Sequence, residues 1–244
     1  YLCCKLLQIR FIMSTIIWIL IILAVLILLY IFSISFNIRA GMYVRAFCNA
    51  DTKDKVIALT YDDGPDPEHT AAVLDVLKAH QVKATFFLIG EKAEAHPELV
   101  QRILDEGHDI GNHSWSHKNL FPFYSKKKMS DQLRKTDEAI EKITSRKPEL
   151  FRPPFGVTNP TVAHVVKERG YKAIGWNIRS FDTTKQPRDL VFQRISQQVV
   201  PGAVVLMHDR MFEAEKLTEK LLDFVEKKGY RVIPISEMMK GGEA

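Results

Sequence analysis

The polarity pattern of the chain breaks near residue 50. From Ile16 to Ile34 the sequence is almost wholly apolar and carries no charge, with only Ser33 interrupting it near the end. Such a run is long enough to cross a hydrocarbon core as one helix. A helix buried in a soluble core would show a polar stripe, and this one has none. A secretory signal has a shorter apolar core and a small-residue cleavage site, and no convincing site follows here. The pattern therefore predicts a membrane anchor spanning about 16–34 within an N-terminal segment of residues 1–50, with Trp18 and Tyr30 as aromatic residues toward its two ends. The printed chain opens on Tyr1, and Met13 stands as a candidate natural start.

Beyond that break, apolar runs of strand length alternate with helical periodicities, and residues 51–244 are expected to form one domain of ordinary size. Val56 to Tyr61 reads as a strand, and Glu68 to His80 as a helix whose Ala72, Val73, Val76 and Leu77 share a face. Ala84 to Ile89 is the next strand, Pro97 to Glu106 the next helix, closed by Gly107. A short strand at Asp109 to Asn112 precedes a long helix over Met129 to Thr144. Strands follow at Leu150 to Arg152, Ala173 to Ile178, Ala203 to Met207 and Arg231 to Ile235. Helices are expected around Thr161 to Arg169, Pro187 to Val199 and Glu213 to Lys228. Strand–helix alternation predicts an α/β fold with a parallel sheet, open or closed into a barrel. Polar clusters fall at the C-terminal ends of five strands: Asp62-Asp63, His113, Arg152, Asp182 and His208-Asp209. That end of a parallel barrel is where sites are built, so the clustering argues for closure.

Charge and cysteine content narrow the function. Four of the 34 Lys and Arg (Lys5, Arg10, Arg39, Arg45) lie in the first fifty residues, which hold no acid; the remainder has 30 bases against 29 acids. The basic balance belongs to the anchor, and the domain is not expected to bind nucleic acid. Two bases precede the span and two follow it, so the positive-inside comparison sets no orientation; a start at Met13 would favour a cytoplasmic domain. Lys126-Lys127-Lys128 is the one basic run, a solvated loop or a helix start. Cys3, Cys4 and Cys48 lie in or beside the anchor, so the domain is expected to use neither disulfides nor thiolate ligands.

The candidate chemistry centres on His113 and His117, four residues apart in His-Ser-Trp-Ser-His, with Asp62-Asp63 about fifty residues upstream. Two imidazoles and one carboxylate are a common set for a catalytic divalent metal that keeps an open position. The second carboxylate is then free to act as a base. Each piece has a plain structural reading when taken alone. Asp-Asp-Gly-Pro suits a turn, a lone His-x-x-x-His is more often no metal site, and His208-Asp209 could cap the next helix. His69, His80, His96, His108 and His164 fall on helices or loops outside the motifs and read as surface or structural.

Four segments occur in order: Thr60-Tyr61-Asp62-Asp63-Gly64-Pro65, His113-Ser114-Trp115-Ser116-His117, Arg152-Pro153-Pro154-Phe155-Gly156 and Leu206-Met207-His208-Asp209. Together they resemble the motifs of the polysaccharide deacetylases, the carbohydrate esterases with a NodB-type domain, over nearly all of residues 54–240. The resemblance implies an irregular (β/α) barrel of about seven parallel strands. It assigns Asp63, His113 and His117 to the metal, usually zinc, although cobalt or another divalent ion can serve in relatives. Asp62 matches the base, Arg152 the arginine that keeps that base ionised, and His208 the general acid for the leaving amine. Asp182 matches the carboxylate that orients His208, and the Phe155 N–H matches the oxyanion donor.

Three positions depart from the family pattern. Tyr61 stands where phenylalanine is common, and Phe155 where many relatives have tyrosine. Thr183 follows Asp182 where many have tryptophan, a place that Trp176 or Phe181 would have to fill. The resemblance implies removal of N-acetyl groups from N-acetylglucosamine-type units of a glycan, peptidoglycan or chitin-like, by a membrane-anchored domain facing the cell envelope. The sequence leaves open a small-molecule amide or ureide hydrolase and a silent carbohydrate-binding module, and it does not set an oligomeric state.

Overall fold

The computed structural model describes residues 2–241; Tyr1 and residues 242–244, and the side chains of residues 2–9 with Cys3, Cys4 and Lys5 among them, lie outside the described residues. Strand β1 (Val56–Gly64) is buried at every position, as a central parallel strand covered on both faces must be. Strands β2 (Thr85–Leu88), β3 (Asp109–Asn112), β4 (Leu150–Phe151) and β5 (Lys172–Ala173) extend the sheet on one side. On the other side lie β7 (Ala203–His208) and then β6 (Ile178–Arg179). All pairs are parallel, and β8 (Arg231–Val232) adds a short ladder at the start of β1. This is the expected irregular α/β barrel of about seven parallel strands.

Alternation along β1 sorts the core. Ile57, Leu59 and Tyr61 point outward against α2 (His69–Ala79) and α8 (Ala214–Lys227), while Ala58 faces Phe87, Leu150, Ile174 and Val204 inside the barrel. On α2 the buried face is Val73, Leu74 and Leu77, with Ala72 and Val76 only half-buried, so the face is rotated toward Leu74. The remaining outer helices are α4 (Pro97–Asp105), α5 (Lys126–Thr144), α6 (Pro160–Arg169) and α7 (Arg188–Ser196). Local chemistry sets their ends. Asn159 accepts the Val162 N–H ahead of Pro160, and Gly170 ends α6 in the left-handed region. Ser125 accepts the Lys128 N–H, which starts α5 three residues before the periodicity does and makes the lysine run a helix start.

Three further differences concern element boundaries. The single strand expected over Ala173 to Ile178 is divided into β5 and β6, because Gly175 approaches Cys48 too closely for any side chain; a Cβ there would lie 2.5 Å from Sγ. The strand expected to Ile235 stops at Val232, and α9 (Ile235–Gly241) begins instead. Helix α3 (Gly90–Ala95) is an addition with no strong periodic signal.

No strand pair joins β5 to β6 among the described residues. The gap is stitched by Phe47, bridged to Ile174, and by Asn49, bridged to Ala203. The Phe47 N–H donates to Ala173 O at 2.8 Å and the Ala50 N–H to Gly202 O at 2.9 Å. Ile38, Val44 and Cys48 are buried in the same seam. Residues grouped by composition with the apolar segment are thus packed into the barrel. Helix α1 (Leu2–Ser35) precedes them, and its Arg10–Ser35 stretch, with a mean hydropathy of 3.1 over an 18-residue window and no part buried, is long and apolar enough to cross a membrane.

Gly111 on β3 tests how tightly the barrel interior is filled. A Cβ there would lie 2.5 Å from the Phe87 ring and 3.1 Å from Leu150 O. Gly111→Ala is expected to destabilise the domain by about 1–3 kcal/mol. Thermal unfolding followed by circular dichroism should show a melting point lowered by roughly 2–4 °C per kcal/mol; an unchanged value would mean that the ring moves freely.

Candidate active site

The inward face of β1 passes from Ala58 through Thr60 to Asp62, so the barrel interior turns polar toward its C-terminal rim. The guanidinium of Arg152, at the end of β4, meets it there and is fully buried. Its Nη1 donates to Asp62 Oδ1 at 2.7 Å and to Thr60 Oγ1 at 2.8 Å. Nη2 donates to Gly175 O at 2.9 Å and Nε to Ile174 O at 3.3 Å, while the Phe87 ring lies 4.2 Å beneath the charge. Burial lowers the Arg152 pKa, and the adjoining Asp62 carboxylate works against that shift.

The same residue orients a histidine. His113 Nδ1 lies 2.7 Å from the Arg152 carbonyl, which can only accept, so Nδ1 carries the proton and Nε2 presents its lone pair to the cleft. His113 Nε2 is 3.6 Å from Asp62 Oδ2 and 3.6 Å from Asp63 Oδ1. His117 Nε2 is 3.5 Å from Asp63 Oδ1, and its ring packs edge-on against Phe155 with centroids 4.5 Å apart. The His117 N–H donates to Ser114 Oγ, and the Ser114 N–H to Asn112 Oδ1. Burial, reinforced by His113, pushes the His117 pKa down to about 4, which keeps the ring neutral at ordinary pH.

Asp63 occupies a β-bulge with φ 75°, so adjacent carboxylates take different environments. Its Oδ2 accepts from Arg210 Nε at 2.9 Å, and its carbonyl from Lys92 Nζ at 2.7 Å. Burial alone would raise the Asp63 pKa; His113, His117, His208 and Arg210 overcome it and hold the carboxyl well below the usual range. Asp63 Oδ1 is buried and has no hydrogen-bond partner. One ligand atom from each of Asp63, His113 and His117 lies within 4.8 Å of the others. An orphaned carboxylate oxygen facing two imidazole nitrogens fits a divalent cation with further positions open, so these three form a possible metal-binding triad.

Across the cleft, His208 ends β7. Its Nδ1 lies 2.8 Å from Asp182 Oδ1 and its N–H donates to Asp182 Oδ2 at 2.7 Å. Ser180 Oγ also donates to Asp182. Burial opposes a charge on His208, but the Asp182 carboxylate outweighs it and the pKa is raised; that of Asp182 is lowered by its partners against its own burial. The cleft encloses about 280 Å³ and is lined by Asp62, Asp63, both rim histidines, Trp176 and His208 among others. Of the eight non-glycine residues with positive φ among the described residues, Asp63, Ser114, His117, Phe155 and Phe181 line or adjoin this cleft. Strained backbone of this kind concentrates at functional sites.

The polysaccharide deacetylase family model matches residues 49–174. The chain belongs to the polysaccharide deacetylase family. It is 34% identical over 202 residues to a peptidoglycan-N-acetylglucosamine deacetylase of Bacillus cereus, covering 81% of this chain and 73% of that protein. It is 34% identical to the peptidoglycan-N-acetylmuramic acid deacetylase PdaC of Bacillus subtilis over 77% of this chain, but spans only 39% of that longer protein. A solved peptidoglycan N-acetylglucosamine deacetylase superposes with a TM-score of 0.74 at 32% identity, covering 78% of this chain and 91% of that one.

In this family member, the rim brings together all eight residues singled out in the sequence: Asp62, Asp63, His113, His117, Arg152, Phe155, Asp182 and His208. Of the two aromatic residues that could replace the missing tryptophan, Trp176 lines the cleft, packed so tightly on Gly156 that a Cβ there would lie 2.4 Å from the indole. Phe181 instead stacks between Arg179 and Arg194. Sequence reasoning missed Arg210, although a base directly after His208-Asp209 at a strand end was a usable signal. Lys92 lies on the unexpected α3 and had no such signal. Asp209, fully buried against Thr70 Oγ1 at 2.6 Å, braces the Gly64 turn, and burial pushes its pKa up to about 7.

Because the folded deacetylase holds the His208 pKa above its ordinary 6.5, the pair with Asp182 stabilises fully below that value and loses its contribution as pH rises through the folded value. Asp182→Asn removes the charge that raises it. The His208 titration midpoint, followed by NMR of labelled histidine, should then move down; an unmoved midpoint would show that Asp182 does not set it.

Proposed function

We propose that the chain is a metal-dependent N-deacetylase that hydrolyses N-acetyl groups from N-acetylglucosamine-type units of peptidoglycan or a chitin-like glycan, releasing acetate. The carrying observation is that a buried Asp62–Arg152 pair and a His208–Asp182 pair face each other across the Asp63–His113–His117 triad in one cleft. Relatives named as peptidoglycan N-acetylglucosamine and N-acetylmuramic acid deacetylases support the substrate class.

A divalent ion held by Asp63, His113 and His117, zinc in this reading and replaceable by cobalt or another divalent ion, would polarise the acetamide carbonyl and acidify the attacking water. Asp62 acts as the base on that water. Its Oδ1 is tied to Arg152, which leaves Oδ2 facing the cleft to accept the proton. An amine leaves an acyl centre only when protonated, and His208 supplies that proton. Its Nδ1 is engaged by Asp182, so Nε2 is the donor, and the carboxylate that raises its pKa favours the charged, proton-donating form. The two pairs push the proton affinities of base and acid apart. The Phe155 N–H is the proposed donor to the developing oxyanion. Trp176 is the proposed platform for the acetyl-bearing group, since it lines the cleft beside Gly156.

Residues 51–244 are proposed as the catalytic domain, with residues 38–50 completing its seam, and α1 as a single-pass anchor spanning about 16–34 that holds the domain at the cell envelope. The charge-free stretch 16–34 of α1, none of it buried, supports that placement.

Acetate release from chitooligosaccharides and peptidoglycan fragments tests the reaction. Asp62→Asn is expected to lower kcat by about 10²–10⁴-fold, while elemental analysis finds the metal content unchanged. Full activity in that variant would refute the assignment of the base. A chelator should abolish release and added zinc or cobalt restore it, whereas turnover indifferent to the chelator would remove the ion from the reaction.

A further inference from the structure

Helix α1 is joined to the barrel without slack. Ser35, its last residue, accepts the Thr158 N–H at 2.9 Å, and two residues later Asn37 caps a turn whose Ile38 is buried. Thr158 lies three residues beyond Phe155, at the mouth of the cleft. Its neighbour Asn159 donates to the Pro122 carbonyl at 2.7 Å, which ties in the loop that runs from His117 to α5. The helix exit, the loop after β4 and the loop after β3 therefore form one continuous patch on the catalytic rim.

The composition of that patch is unusual for a water-facing surface. Leu120 and Phe123 are 65% and 74% exposed, held out by the buried Phe121 and Pro122 between them, and Phe36 at the helix exit is 53% exposed. Lys118, Lys126, Lys127 and Lys128 flank the loop tip, and Arg39 and Arg45 follow the helix; all six are exposed. The segments 36–50, 111–130 and 152–167 that build the patch contain no acid. Projecting apolar tips bracketed by lysines suit an anionic lipid interface, where the rings enter the headgroup layer and the ammonium groups meet phosphate.

We propose that this rim rests on the anionic surface of the bilayer that α1 enters, so that the cleft takes glycan still carried at the membrane surface. The inference rests on the anchor and the reaction given above. It adds that α1 orients the cleft as well as tethering it, because the patch is continuous with the apolar helix. His117, three residues before the exposed Leu120, and Phe155, three before the Thr158 that bonds the helix exit, place the cleft mouth at that surface.

The full chain in phosphatidylcholine–phosphatidylglycerol vesicles provides the test. An environment-sensitive fluorophore at Phe123→Cys, in a Cys3→Ser, Cys4→Ser background, should shift to the blue and resist dithionite. The same label at Lys142→Cys, at the far end of α5, should do neither. In parallel, acetate release is compared for a chitooligosaccharide coupled to a dialkyl lipid in the vesicles and for the same sugar free in solution. Leu120→Ser with Phe123→Ser, or a short Gly-Ser insertion between Phe36 and Asn37, should slow the lipid-coupled substrate about tenfold by lowering its effective concentration at the cleft, with the free sugar unaffected. Label at residue 123 as accessible as at 142, in protein that still floats with the vesicles, would overturn the docking and leave the anchor standing. Protein that fails to float would overturn both. A protected label with no acetate from either substrate would support the docking and remove the reaction instead.

Discussion

The buried guanidinium of Arg152 is the constraint around which this barrel is organised. A charge with no exposed surface carries a large desolvation cost, offset only when every donor is engaged and an opposite charge is close. Here the four polar contacts come from two separate parts of the fold: Thr60 and Asp62 on β1, Ile174 and Gly175 in the seam. Those carbonyls are available because the chain leaves β5 at Ile174 instead of continuing as strand, and that irregular segment is held by Phe47. Closure of the seam and placement of the proposed base are therefore one problem with one solution. Removing either partner of such a pair leaves a buried charge uncompensated, at a cost of about 3–5 kcal/mol.

Arg152 also links groups with different tasks. Its side chain fixes Asp62, while its carbonyl fixes the tautomer of His113. The proposed base and one candidate ligand thus share a single positioning residue. The two adjacent carboxylates are kept distinct by backbone geometry. Asp62 follows the inward alternation of β1, whereas the bulge at Asp63, with φ 75°, turns the next side chain toward the histidines and Arg210. A regular strand would have sent that second carboxylate to the outer face. The local strain is tolerated because hydrogen bonds from Lys92 and Arg210 hold the residue on both sides.

Much of this was legible in the sequence, and the reasons are specific. Strand–helix alternation carried the fold class, and the recurrence of polar residues at strand ends carried the rim, because both depend on periodicity along the chain. Asp62, Asp63, His113, His117, Arg152, Phe155, Asp182 and His208 fell within or beside ordered motifs, so they could be found together. Contacts that depend on three-dimensional approach were not legible. The break between β5 and β6 follows from Cys48 meeting Gly175, two residues far apart in sequence. Arg210 became visible only once Asp63 was placed, and Lys92 only with α3.

The boundary near residue 50 shows most clearly where composition and packing part. Hydropathy separates an apolar, acid-free leader from a charge-balanced domain, and by that measure residues 38–50 belong to the leader. Packing reverses the assignment: Ile38, Val44, Cys48 and Ala50 are buried, and the backbone of Phe47 and Ala50 closes the barrel. Only two residues, Phe36 and Asn37, then separate α1 from a turn anchored in the core. So short a connection cannot act as a flexible tether, whose reach grows with the square root of its length. The segment that completes the seam around Arg152 is continuous with the segment that fixes how α1 leaves the barrel. The interactions that position the catalytic rim and those that orient it relative to the helix are thereby mechanically joined.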